Sequence, residues 1–177
     1  VVSFRDVLIQ SLNVPSVRVL YYLGHQVFYD LLQSFEPDFL NKGANHYGLS
    51  IILGGGESNL WSLSRMYLGL ARKYLKYRND FIRIRVLKDE DLEKYSVSLG
   101  NFACHQTVEA LADVVRPREE TGWKKLHANN EIAWKTGTSY GHRDAWTIGF
   151  NSKYLVGIWV GNENGEGREK LTGITTA

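Results

Sequence analysis

The residues best suited to chemistry lie in one stretch, which reads Ile132-Ala-Trp-Lys-Thr-Gly-Thr-Ser139 and continues to Trp146. As an extended strand it would place Ile132, Trp134, Thr136 and Thr138 on one side and Ala133, Lys135 and Gly137 on the other. Lys135 supplies a fixed positive charge, Thr136, Thr138 and Ser139 supply short hydroxyls, and the missing side chain of Gly137 lets a ligand backbone approach. This combination predicts a site for a ligand that bears a carboxylate and binds as an additional strand.

A second set of polar residues, Ser11-Leu-Asn13, lies near the start of the sequence. The spacing of Ser3 and Asp6 is that of a capping box and predicts a helix that ends near Gln10. Pro15 suits the first position of a second helix that extends to Gly24, so residues 11–13 are predicted to form a tight loop between helices. Considered alone, Ser11 could be only a turn residue and Asn13 only an N-cap.

The other elements follow from hydrophobic periodicity and from the positions of glycine and proline. Three more helices are predicted, at Gln26–Phe35, Ser58–Tyr74 and Gly100–Val115. A glycine-rich loop is predicted at Gly48–Gly56, a strand at Ile82–Val86 and a hairpin at Ala145–Val160. The hairpin is predicted to lie beside the strand that carries Lys135.

Composition excludes few function classes. The chain has 177 residues, 44% of them hydrophobic and 23% charged, with a net charge of +2. This is typical of a single globular domain and requires no nucleic-acid or anionic-membrane partner. The basic stretch Arg72–Lys88 contains aromatic residues and could bind nucleic acid, but the alternation at Ile82–Val86 favours a half-buried strand. Five scattered histidines predict no metal, no cofactor is expected, and Cys104 alone excludes an internal disulfide.

Ser-x-Asn between two helices, followed about 120 residues later by Lys-Thr-Gly on a strand, resembles the second and third motifs of the penicillin-binding transpeptidases. Further segments also resemble that family, namely Gln10–Val19, Leu53–Ser58, Ser62–Ala71 and Ala145–Gly161. The resemblance covers nearly the whole chain and is to the class A bifunctional type called penicillin-binding protein 1C in particular. It implies a β-lactamase/transpeptidase-like α+β fold, with an antiparallel sheet packed by helices and incomplete at both ends. Residues 1–177 would be the C-terminal part of the transpeptidase domain.

The resemblance also implies a role for each candidate residue. Ser11 would relay a proton to the leaving amine, Asn13 would hold a substrate amide, and Lys135 would provide a positive field. Thr136, Gly137, Thr138 and Ser139 would bind substrate, with the Thr138 N–H as one donor of the oxyanion hole. The family's nucleophile lies in Ser-x-x-Lys, which does not occur in this sequence, so it is expected upstream of Val1.

The function implied is a D-Ala-D-Ala transpeptidase that cross-links peptidoglycan stem peptides through an acyl-serine and is acylated by β-lactam antibiotics. The expected partners are the stem peptide, β-lactams and a glycosyltransferase domain of the same parent chain, but no nucleic acid. The expected location is the periplasmic face of the bacterial inner membrane, and these 177 residues alone are expected to be inactive. Two alternatives with the same fold are a serine β-lactamase or DD-carboxypeptidase, and a catalytically silent binding module.

Overall fold

A computed structural model describes residues 1–35, 40–77, 99–114 and 132–177. The described elements are α1 (Phe4–Ile9), α2 (Asn13–Leu23), α3 (His25–Phe35), α4 (Ala44–Tyr47), α5 (Leu60–Tyr77), α6 (Asn101–Ala112), β1 (Ala133–Thr138), β2 (Asp144–Phe150) and β3 (Leu155–Gly161). Two short helices of the 3₁₀ type lie at Gly48–Leu53 and Tyr140–His142. These elements confirm the predicted α+β class. None of the helices in these four ranges is long and apolar enough to cross a membrane.

The described strands form one antiparallel sheet in the order β1-β2-β3, which confirms the predicted hairpin. The turn of the hairpin is closed by Asn151, whose Oδ1 accepts hydrogen bonds from the N–H groups of Lys153 and Tyr154 at 2.8 Å each. Lys135 lies opposite Ile148 and Thr136 lies opposite Thr147, so the two sets of side chains face opposite sides as predicted.

Helices α5 and α6 pack on the side of the sheet that carries Lys135, here called the helical face. Its core cluster combines both helices with β1 and β2 and comprises Ala71, Tyr74, Leu75, Cys104, Val108, Leu111, Ala133 and Phe150. Leu8 of α1 packs against the same cluster. Burial of this apolar surface therefore brings the end of α1 and the start of β1 to one place.

The opposite side of the sheet, here called the far face, carries Thr136, Thr138 and Thr147. A second cluster lies away from the sheet and holds α2 against α3 and the first 3₁₀ helix; it comprises Leu20, Leu40, Tyr47 and Ile51. The interhelical loop before α2 thus connects the two clusters.

The structure corrects three sequence predictions and leaves one outside its scope. Helix α2 begins at Asn13, so Pro15 is its third residue, and Gly48–Leu53 is a 3₁₀ helix where a loop was predicted. Helix α5 continues to Tyr77 because its last turn still buries Tyr74 and Leu75 in the core. The predicted strand Ile82–Val86 lies outside the described residues.

Candidate functional site

Ser11 occupies the turn that ends α1. The N–H of Ser11 donates to the carbonyl of Leu8 at 3.3 Å, and the N–H of Leu12 donates to the carbonyl of Val7 at 3.0 Å. These are the two hydrogen bonds of a Schellman motif, with Ser11 at the position that glycine usually takes. Its φ of 54° is left-handed, a conformation that costs a residue with a side chain about 1–2 kcal/mol. The serine is therefore held in a strained conformation, with its side chain exposed.

Contacts on both sides of the loop fix its position. In α1, Ser3 caps the first turn by accepting a hydrogen bond from the Asp6 N–H at 3.1 Å, as predicted. Arg5 forms an ion pair with Asp113 at the end of α6, and this ion pair joins α1 to α6. On the other side, α2 is anchored by Leu20, which is 1% exposed.

Asn13 follows this loop as the first residue of α2 and is exposed. The alternative that Asn13 is only an N-cap is wrong, because Leu12 takes that position and provides no side-chain hydrogen bond. Among the described residues, none forms a hydrogen bond with the side-chain amide of Asn13, so this group is available to a ligand.

Lys135 is placed by its neighbours on β1. Ala133 is 3% exposed in the core cluster, and the indole N–H of Trp134 donates to the carbonyl of Val114, just after α6, at 3.1 Å. From this fixed strand the Lys135 ammonium donates to Ser11 Oγ at 2.6 Å and to the Thr136 carbonyl at 2.7 Å. The structure thus joins two motifs that are 124 residues apart in sequence.

The electrostatics of Lys135 suit an anionic ligand. The side chain is half-buried, and this burial lowers the pKa of Lys135 because it disfavours the charged form. In the described ranges both of its hydrogen-bond partners are neutral oxygens, and no carboxylate forms an ion pair with it. Its positive charge is therefore not neutralised by this part of the protein.

The three residues after Lys135 differ in how far the fold engages them. Thr136 is half-buried on the far face, whereas Gly137 and Thr138 are exposed near the end of β1. A Cβ added at Gly137 would meet only the Cβ of Trp146, at 3.8 Å, which is an ordinary contact. Nothing in the packing of the described residues thus requires glycine at 137, whereas the close approach of a ligand strand would.

Ser139 shapes the turn between β1 and β2. Its Oγ accepts a hydrogen bond from the Asp144 N–H at 2.8 Å, and its own N–H donates to the Asp144 carbonyl at 2.9 Å. The hydroxyl proton is not used in the Asp144 bond, since a backbone N–H only donates. Ser139 thus has a structural task in addition to any contact with a ligand.

Sequence reasoning missed one segment that contacts the candidate site, Arg168–Thr176. It lies on the far face, where the Gly173 N–H donates to Thr138 Oγ1 at 3.0 Å. A glycine among hydroxyl residues, as in Thr172-Gly-Ile-Thr-Thr176, was the only sequence signal for such a contact. The described residues contain no cluster of three or more residues that could hold a metal ion.

Curated proteins similar to this chain are penicillin-binding proteins. Penicillin-binding protein 1C of Escherichia coli (strain K12) is 35% identical over 166 residues, which is 93% of this chain and 20% of that protein. Penicillin-binding protein 4 of Bacillus subtilis (strain 168) is 25% identical over 93% of this chain and 27% of its own length. Penicillin-binding protein 1B of Haemophilus influenzae is 25% identical over 99% of this chain and 23% of its own length. No family model matches the chain.

Helices that cover one face of an antiparallel sheet, with a lysine of the edge strand reaching an interhelical serine, define a transpeptidase/β-lactamase-like α+β fold. Within that fold class, the chain is similar to penicillin-binding proteins over 93% or more of its length, which supports the family that the two motifs predicted. It spans between 20% and 27% of the length of these three relatives.

Proposed function

We propose that this chain is part of the transpeptidase domain of a penicillin-binding protein that acts in peptidoglycan synthesis. The observation that carries the proposal is the hydrogen bond from Lys135 to Ser11 at 2.6 Å, which assembles the second and third motifs of the family into one site. The names of the relatives support the same role. The reaction proposed is acyl transfer from a stem peptide ending in D-Ala-D-Ala, through an acyl-serine intermediate.

The direction of the Lys135–Ser11 hydrogen bond supports a proton relay. An ammonium group only donates, so Ser11 Oγ is the acceptor and its own proton points elsewhere. When the bond between the two terminal D-alanines breaks, Ser11 would give that proton to the leaving nitrogen and recover one from Lys135. The lowered pKa of Lys135 favours this step because a buried ammonium gives up its proton more readily.

Substrate binding would use the exposed end of β1. The stem peptide would lie along this strand, with its terminal carboxylate attracted by Lys135 and bonded by the Thr136 and Thr138 hydroxyls. The Thr138 N–H would be one donor of the oxyanion hole, and Asn13 would hold a substrate amide. Gly137 and Ser139 would complete the binding strand.

The nucleophilic serine would come from a part of the protein outside these residues, since no Ser-x-x-Lys occurs in the sequence. The 177 residues alone would then form no acyl-enzyme, because an ordinary serine hydroxyl is a weak nucleophile without a positioned base. The whole protein would face the periplasm, react with β-lactams and carry a glycosyltransferase domain in the same chain. No cofactor or nucleic acid would take part.

The test is acylation of the full-length protein by a labelled penicillin. The Lys135→Ala variant should lose about 100-fold or more in acylation rate, because both the relay and the attraction for the carboxylate are removed. Lys153→Ala is the matched control, since Lys153 lies exposed in the hairpin turn, and it should react at the parental rate.

A parental rate for Lys135→Ala would remove Lys135 from the mechanism. A full-length protein that takes up no label would refute the transpeptidase proposal as a whole. Intact-mass measurement locates the adduct, and an acylated serine within residues 1–177 would show that the nucleophile lies in this chain after all.

A further inference from the structure

Segment Arg168–Thr176 crosses the far face of the sheet and is attached there by hydrogen bonds. His142 Nδ1 lies 2.8 Å from the carbonyl oxygen of Leu171, and the Thr147 hydroxyl donates to the carbonyl of Gly173 at 3.0 Å. The Gly173 N–H donates to Thr138 Oγ1 at 3.0 Å. Leu171 is 4% exposed and Gly173 is also buried, so the middle of this crossing segment is seated against the sheet.

Gly173 approaches β1 and β2 so closely that no side chain fits there. A Cβ at this position would meet the carbonyl oxygens of Gly137 at 2.5 Å and of Trp146 at 2.6 Å, and the Cβ of Thr136 at 3.0 Å. Two of these atoms are backbone and cannot move aside without distorting the sheet. Because Gly173 does not have a left-handed φ, close approach and not backbone conformation requires glycine here.

This contact determines the orientation of the Thr138 hydroxyl. A threonine hydroxyl has one proton to donate and two lone pairs that accept, and a backbone N–H only donates. Gly173 therefore uses one lone pair of Thr138 Oγ1, and the hydroxyl proton must point away from Gly173. Thr138 is exposed at the end of β1, so that proton is available to a ligand. A donor that is itself polarised by an incoming hydrogen bond is also a stronger donor.

We propose that Gly173, held in place by Thr147, is a positioning residue that presents the Thr138 hydroxyl proton to the carboxylate of the substrate or of a β-lactam. The inference rests on the proposed function, in which Thr138 binds that carboxylate. Thr147 touches no ligand in this proposal and acts through Gly173. Gly173 then supports the binding site from the face opposite to Lys135, and the rest of the crossing segment has no part in binding.

The experiment measures acylation of the full-length protein by a labelled penicillin in a double-mutant cycle of Thr147 and Thr138. Thr147→Val removes the hydroxyl that holds Gly173 and should lower the second-order acylation rate about three- to tenfold, as expected for one neutral hydrogen bond. Thr147→Ser keeps a hydroxyl and should restore the rate. Thr175→Val is the matched control, since within the described residues the Thr175 hydroxyl forms hydrogen bonds only with other threonines of the crossing segment.

The cycle separates positioning from a general structural effect. In the Thr138→Val background, Thr147→Val should cause no further loss, because the hydroxyl that it orients is already absent. The inference is overturned if Thr147→Val lowers the acylation rate by the same factor in the Thr138→Val background as in the parent. It is also overturned if the single variant Thr147→Val reacts at the parental rate. Gly173→Ala provides a second approach to the same contact and should lower the rate at least as far, and again only when Thr138 is present.

Thermal melting of each variant shows that it is folded, and Thr147→Ala replaces Thr147→Val if the valine variant is not. If Thr138→Val alone reacts at the parental rate, then the carboxylate role of Thr138 fails and this inference fails with it. That outcome differs from a cycle in which Thr138 matters but Thr147 does not, which rejects the positioning role and leaves the proposed function intact.

Discussion

Lys135 and Ser11 meet at 2.6 Å, but the sheet holds the lysine and a strained helix end holds the serine. Lys135 lies within an antiparallel strand pair and beside two anchored neighbours, Ala133 and Trp134. Ser11 lies at the last turn of a helix of six residues, with a left-handed φ. The strand half of the site is thus supported by many regular contacts, and the loop half by a few specific ones.

The difference shows where the fold tolerates an unfavourable backbone conformation. Glycine at position 11 would satisfy the same Schellman hydrogen bonds without the steric penalty of a side chain. The chain has serine there although the conformation costs stability, and its hydroxyl is the group that Lys135 reaches. A residue in an unfavourable conformation whose side chain contacts the site is a reason to infer function for that residue.

The largest effect that tests this contrast is expected at Ser11. In the full-length protein, both Ser11→Gly and Ser11→Ala should lower the acylation rate roughly 100-fold, because the proton relay is lost. Ser11→Gly alone should also raise the free energy of unfolding by about 1 kcal/mol, since glycine adopts φ near 54° without the penalty. Denaturant titration and acylation rates on the same variants measure both quantities.

Ser152→Gly is the matched control, because Ser152 is exposed and does not have a positive φ; it should gain no stability. A Ser11→Gly variant that is less stable than the parent would mean that the serine side chain stabilises the turn more than its conformation costs. The contrast between the two halves of the site would then disappear.

The strand half was also the more predictable half, for a physical reason. The alternation of β1 and the turn residues of the hairpin are local properties, so the sequence predicted both the strand and the sides that Lys135 and Thr136 face. The cap at Ser3 was predicted for the same reason. By contrast, α2 starts at Asn13 without a side-chain cap, so no local signal marks its first residue.

Contacts that depend on tertiary packing could not be predicted from any local pattern. The meeting of Ser11 and Lys135 was implied only by resemblance to a family, because 124 residues separate them. The contact of Gly173 with Thr138 depends on how the crossing segment packs on the far face. The left-handed φ of Ser11 contradicts the local preference of serine and was not predicted.

A smaller effect is expected at Gly137, and it tests whether a ligand uses the exposed end of β1. The added methyl of Gly137→Ala has room in the fold, so stability should stay constant or rise by up to about 1 kcal/mol. The acylation rate should fall about tenfold, as expected for the loss of one or two hydrogen bonds when the methyl group keeps the ligand from the strand. An unchanged rate with unchanged stability would show that the ligand does not approach β1 at this residue.

The smallest effect expected is a change of stability with pH that originates in the strand half. Burial lowers the native pKa of Lys135 below the usual 10.5, whereas the unfolded chain keeps the usual value. Between these two values the unfolded state binds more protons than the native state, so stability rises with pH in that window. The contribution of Lys135 to stability is fully present above its unfolded-state pKa and is lost as the pH falls through its lowered native pKa.

Lys135→Met isolates this contribution, because every other titrating group is shared with the parent protein. The stability of the parent relative to Lys135→Met should therefore rise as the pH increases from 7 to about 10.5, the usual pKa of lysine. Denaturant titrations of both proteins at several pH values measure the difference. A constant difference would mean that the native pKa of Lys135 is unshifted, and a decrease would mean that it is raised. Either result would show that the Lys135 ammonium is better stabilised in the native site than its burial beside two neutral oxygens indicates.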